Sequence, residues 1–191
     1  MTFYDYDLGA LRWINHYRCK LLDPFFVLIT KTAIPLSVVI GFVIIILGLI
    51  HKNRVLRFKG WLVILGILIN ELIVNFLKYS IHRIRPYVNH PDIDKLTEGG
   101  SPSFPSGHTA NAFAVALIVS LLFKCPKPIL ITLWLWTFFV AYSRMLLGVH
   151  YPSDVLGAVV IGSFTTLLLY RTYLRPHYTK LVGKYISFYK K

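Results

Sequence analysis

Three short stretches of this chain gather residues that bind or transfer charged oxygen groups. The first holds Lys78 and Arg85, seven residues apart, with Pro86 next. Seven residues are two helical turns, so the spacing predicts both cations on one face of a helix ending near the proline. Such a stripe holds an anion with several oxygens; the plainer alternative is two side chains snorkelling to headgroups. The second stretch is Pro105-Ser106-Gly107-His108. A proline followed by small residues suits a helix start, whose free N–H groups and dipole hold phosphate. Gly107 admits an oxyanion close to the backbone, Ser106 offers a hydroxyl, and His108 offers a proton that titrates near neutral pH. The plain alternative is an N-cap beside an interfacial histidine. The third stretch is Ser143-Arg144, then His150 and Asp154. A carboxylate four residues from a histidine can accept a hydrogen bond from one ring nitrogen and leave the other as nucleophile or base. Arg144 adds a fork-shaped cation suited to phosphate oxygens. Alone, the His–Asp pair also reads as a helix cap. Together the three stretches point to chemistry on a phosphate ester.

The elements that must position these residues are membrane spans. The chain has 191 residues, of which 55% are apolar and 15% charged, with 21 Lys and Arg against 8 Asp and Glu. That length suits one domain, and a composition so poor in charge excludes a disordered chain or a coiled coil. The net charge of +13 suggests nucleic acid first, but the basic residues lie between long apolar runs, so no nucleic-acid partner is expected. Cys19 and Cys125 make no disulfide framework, no Cys/His spacing suggests zinc, and the acidic N-terminus is no cleavable signal peptide. A span needs about 20 apolar residues, with about 17 as the lower end. Five stretches qualify: 25–50 (weakened early by Lys31 and Pro35), 60–81, 107–123, 129–147 and 155–173. Residues 1–22, with Leu8, Leu11 and Ile14 at helical spacing beside Trp13, are expected as an amphipathic helix at the membrane surface. The fold class is therefore all-α, a polytopic bundle of five to six spans in one domain covering 1–191, with a basic tail over 174–191.

Five spans put the loop 83–105, the turn 148–154 and the N-terminus on one side. The loop 51–59, the turn 124–128 and the tail fall on the other, with twelve basic residues, counting Arg171 at the end of the last span, and no acidic one. Basic residues stay in the cytoplasm, so all three stretches face outward and the C-terminus is cytoplasmic. Glu71, Asn70 and Asn75 inside the second span are expected to bond to neighbouring helices.

The stretches 78–86, 105–108 and 143–154 match, element by element, the K-x6-RP, PSGH and SR-x5-H-x3-D signature of the type 2 phosphatidic acid phosphatase superfamily, which the chain resembles. The resemblance implies a metal-independent, cofactor-free lipid phosphatase or diphosphatase. His150 would attack phosphorus and become a phosphohistidine, with Asp154 orienting it and stabilising its charge. His108 would protonate the leaving oxygen and then activate water. Lys78, Arg85, Arg144, Ser106 and the Gly107 amide would hold the phosphoryl oxygens. The same superfamily includes soluble vanadate haloperoxidases, against which five apolar spans argue. Small members look like bacterial envelope enzymes of the cytoplasmic membrane. The implied partners are the bilayer and a phosphorylated lipid: undecaprenyl diphosphate first, then phosphatidylglycerophosphate, phosphatidic acid or lipid A 1-phosphate. A reading from another class is a non-catalytic protein that binds or moves such a lipid, which would not need both histidines and Asp154.

Overall fold

A computed structural model describes residues 2–174 of the chain, and the tail beyond, 175–191, lies outside the described residues. The helices are α1 (Phe3–His16), α2 (Asp23–Ile50), α3 (Arg54–Ile81), the short α4 (Pro86–Asn89), α5 (Gly107–Leu122), α6 (Lys127–Leu146) and α7 (Pro152–Leu169). A 3-10 turn, Lys20–Leu22, precedes α2, and a π turn, Tyr170–Leu174, follows α7. The protein is an all-helical membrane bundle. Proline stands in the first turn of α2, α4, α6 and α7, where its missing N–H costs nothing. Asn53 caps α3 by accepting the Leu56 N–H at 3.0 Å. Pro35 does not break α2, which runs on as one helix.

Four helical segments are long and apolar enough to cross a membrane, and α5 is a shorter apolar helix of 16 residues. At 1.5 Å per residue, α5 is about 24 Å long, less than the roughly 30 Å hydrocarbon core. It is also the innermost helix, touching α2, α3, α6 and α7. Its inward faces carry Ala110, Ala112, Ala114 and Ala116, all fully buried. Small side chains let neighbouring backbones approach where lipid supplies no hydrophobic drive between helices. At Gly162 of α7, an added Cβ would lie 2.7 Å from the Ala110 carbonyl oxygen. That close crossing seats the start of α5 against the middle of α7, and the Ser106 N–H donates to the Asp154 carbonyl at 3.2 Å at the start of α7. Large apolar side chains on the outer faces, among them Leu72, Phe76, Val160 and Phe164, are exposed for lipid.

Helix α1 buries Leu8 and Leu11 against Ile93 and Tyr151, while Phe3, Tyr6, Trp13 and Tyr17 point outward. Polar contacts hold it to the segment between α4 and α5: Arg12 pairs with Asp92 at 2.6 Å, and Asn15 exchanges hydrogen bonds with the Asp94 backbone at 2.9 and 3.2 Å. Helix α1 and that segment together cap the end of the bundle where all three sequence stretches meet.

Candidate active site

Lys78, Arg85, Gly107, His108, Arg144 and His150 line one cavity of about 220 Å³. Ile34, Glu71, Asn75 and the segment from Glu98 to Ser101 complete its wall. Five of the eight residues singled out from sequence bring side chains here, and Gly107 brings backbone. Asp154 stands directly behind His150. The Ser106 hydroxyl faces the Thr109 hydroxyl at 3.0 Å, and Ser106 is not among the residues lining the cavity.

Each cation is held by named oxygens. Lys78 Nζ donates to the Pro102 carbonyl at 2.6 Å. Arg85 donates from Nε to the Ser101 carbonyl at 2.7 Å and from Nη1 to the Val149 carbonyl at 2.8 Å. The same Nη1 lies 3.3 Å from His150 Nε2. Arg144 donates to the Thr30 hydroxyl at 2.5 Å, while its Nε is buried without a hydrogen-bond partner. One expectation is corrected here. Lys78 and Arg85 do not share a helix face, because α3 ends at Ile81 and His82 turns the chain with a left-handed φ of 51°. Arg85 sits past that turn as the residue before α4, and reaches the cavity from the loop.

His150 lies between α6 and α7 and is buried. Gly148 delivers it: with φ at 72°, the backbone is in the region that favours glycine, and a Cβ would strike the Asp94 carbonyl oxygen. His150 Nδ1 faces Asp154 Oδ2 at 3.5 Å, too long for an ordinary hydrogen bond, and makes no other. Burial holds this imidazole neutral and pushes its pKa down to about 3, against the opposing pull of Asp154 and with Arg144 and Arg85 adding to the depression. A neutral ring keeps one nitrogen lone pair unprotonated.

Asp154 is fully buried and closely bound. Oδ1 accepts from Arg83 Nη1 at 2.6 Å, and Oδ2 accepts from the Ser103 hydroxyl at 2.5 Å and the Tyr151 N–H at 2.9 Å. The sequence reading missed Arg83 and Ser103. Arg83 lies within the first stretch and Ser103 just before the second, but no sequence spacing ties either one to Asp154. Below the cavity, Asn111 of α5 donates to Glu71 at 2.6 Å and accepts from Asn70 at 2.6 Å. Asn70 and Glu71 of the second span thus bond to a neighbouring helix, as expected, whereas Asn75 donates to Glu71 of its own helix at 3.1 Å.

A model of the PAP2 superfamily matches residues 59–178. The chain is 31% identical over 187 residues to an undecaprenyl-diphosphatase of Bacillus subtilis, covering 95% of this chain and 91% of that protein. It is 28% identical over 172 residues to a lipid A 4'-phosphatase of Bacteroides thetaiotaomicron, covering 87% and 76%. Its fold is similar to that of a crystallised transmembrane PAP2-type phosphatidylglycerolphosphate phosphatase from Bacillus subtilis, with TM-score 0.72, 28% identity, and coverage of 87% and 83%. An apolar bundle of this fold with a cationic, two-histidine cavity is a membrane phosphatase by class. The chain belongs to the PAP2 superfamily and is one of its membrane lipid phosphatases.

Proposed function

We propose that this protein hydrolyses the phosphate or diphosphate headgroup of a bacterial envelope lipid at the outer face of the cytoplasmic membrane, releasing one phosphate through a phosphohistidine on His150. Undecaprenyl diphosphate is the leading substrate. The observation that carries the reading is the single cavity joining three cations, two histidines and the first amides of α5. Lys78, Arg85 and Arg144 hold the phosphoryl oxygens, and a phosphoryl oxygen satisfies the otherwise unpartnered Arg144 Nε. Those cations spread compensation over the charge that develops in transfer, without a metal. His150 Nε2 forms the new bond to phosphorus as the bond to the leaving oxygen breaks, and His108 gives that oxygen its proton. Water, deprotonated by His108, then attacks the phosphohistidine, releasing inorganic phosphate and free His150. Near end-to-end coverage by the undecaprenyl-diphosphatase supports the substrate choice. The lipid A 4'-phosphatase relative supports a second, a phosphorylated lipid A.

The test is phosphate release by purified protein from undecaprenyl diphosphate, phosphatidylglycerophosphate, phosphatidic acid and lipid A, with chelator present. Turnover is expected with chelator, fastest on undecaprenyl diphosphate. His150→Asn should lower it by at least about a thousandfold while lipid binding survives. Retained activity in that variant would overturn the mechanism, and chelator-sensitive turnover would overturn the metal-free scheme.

A further inference from the structure

Asp7 of α1 belongs to none of the sequence motifs, yet it is a buried carboxylate at the back of the site. Its Oδ2 accepts from Arg83 Nη2 at 2.7 Å and from the Ser153 hydroxyl at 2.5 Å, and its Oδ1 accepts the Ser153 N–H at 2.9 Å. Arg83 uses its other arm, Nη1, for Asp154 Oδ1 at 2.6 Å and the Ser153 hydroxyl at 2.6 Å, and its guanidinium lies 4.1 Å above the Tyr151 ring. One arginine therefore bridges two buried carboxylates from α1 and α7. Two negative charges and one positive leave a net negative charge behind His150. Without Asp7, Arg83 would neutralise Asp154 outright, and the buried site would lose the charge that favours the cationic phosphoimidazole formed as His150 bonds to phosphorus.

We infer that Asp7 and Arg83 are positioning residues for the phosphoryl transfer: Asp7 draws on the charge of Arg83 so that Asp154 stays both fixed and negative towards His150. This rests on the reading of His150 as the nucleophile. The N-terminal helix is on this account a working part of the site, because it supplies the second carboxylate. At an effective dielectric of about 20, a unit charge several ångströms away is strong enough to change a rate about tenfold.

The experiment is steady-state kinetics of the full-length purified protein on p-nitrophenyl phosphate and undecaprenyl diphosphate, with kcat scaled to the fraction of protein that forms a trapped phosphoenzyme. Asp7→Asn should lower kcat by about tenfold or more with KM within about twofold, since the amide keeps the shape and removes the charge. Asp7→Asn combined with Arg83→Gln removes one charge of each sign and should recover about threefold or more over Asp7→Asn alone. A merely structural role predicts the reverse, the double variant being the worse. Tyr4→Phe deletes contacts of the same helix to His90 and Tyr151 without touching charge, and should stay within about twofold of wild type. Full activity in Asp7→Asn, or a double variant no better than it, overturns the inference. An active His150→Asn control would instead overturn the nucleophile itself, so the two failures are distinguishable.

Discussion

A buried histidine that must stay neutral leaves a signature in stability as well as in rate. His150 has its pKa pushed from 6.5 down to about 3 by burial, so the folded protein binds its proton less readily than the unfolded chain does. The stability it contributes is present above pH 6.5 and lost as the pH falls through the window towards 3, at no more than about 1.4 kcal/mol per pH unit. The thermal midpoint of wild type in detergent should therefore fall faster over that window than that of His150→Gln; parallel curves would contradict a neutral buried ring. At this scale the sequence was informative, because fixed spacings name Lys78, Arg85, His108, Arg144, His150 and Asp154 without any structure. It was silent on Asp7, which lies 76 residues before its partner Arg83 and reads simply as an acid on a surface helix. No local spacing encodes a contact of that range.

Among the elements, the turns between helices decide how the side chains converge. His82 and Gly148, both with left-handed φ, swing Arg85 and His150 into the cavity from loops rather than from helix faces. Helical periodicity could not foresee this for Arg85, since a spacing of seven residues is also met by a helix end and a turn. Gly148→Ala should lower the thermal midpoint, because the left-handed conformation alone costs a residue with Cβ about 1–2 kcal/mol and the Asp94 carbonyl blocks the added methyl. Activity should fall with it. Unchanged stability in that variant would mean the turn does not hold His150 as described. Helix α5 was legible as an apolar segment but not as the central one, since length and overall hydropathy do not separate it from its neighbours. Its run of buried alanines is the clue that marks an interior helix.

At the scale of the whole molecule, charge asymmetry argues for the proposed orientation. The loop 51–59 and turn 124–128 are basic, whereas Asp7, Asp92, Asp94, Glu98 and Asp154 gather at the end that carries the cavity. The positive end faces the cytoplasm on this reading. Cys19, exposed between α1 and α2, and Cys125, partly exposed before α6, then report opposite sides. In spheroplasts a membrane-impermeant thiol reagent should label Cys19 at once and Cys125 only after permeabilisation. The reverse order would invert the topology and place the cavity in the cytoplasm.

The most direct measurement is to mix the protein with substrate carrying a labelled transferable phosphate, quench it within milliseconds under alkaline denaturing conditions that preserve phosphohistidine, and map the label by mass spectrometry. One phosphoryl group on His150, absent from His150→Asn and built up in His108→Asn when the leaving group needs no proton, is the predicted result. Label on any other side chain, or rapid turnover with no covalent label in any variant, would contradict a site built to bring His150 onto phosphorus.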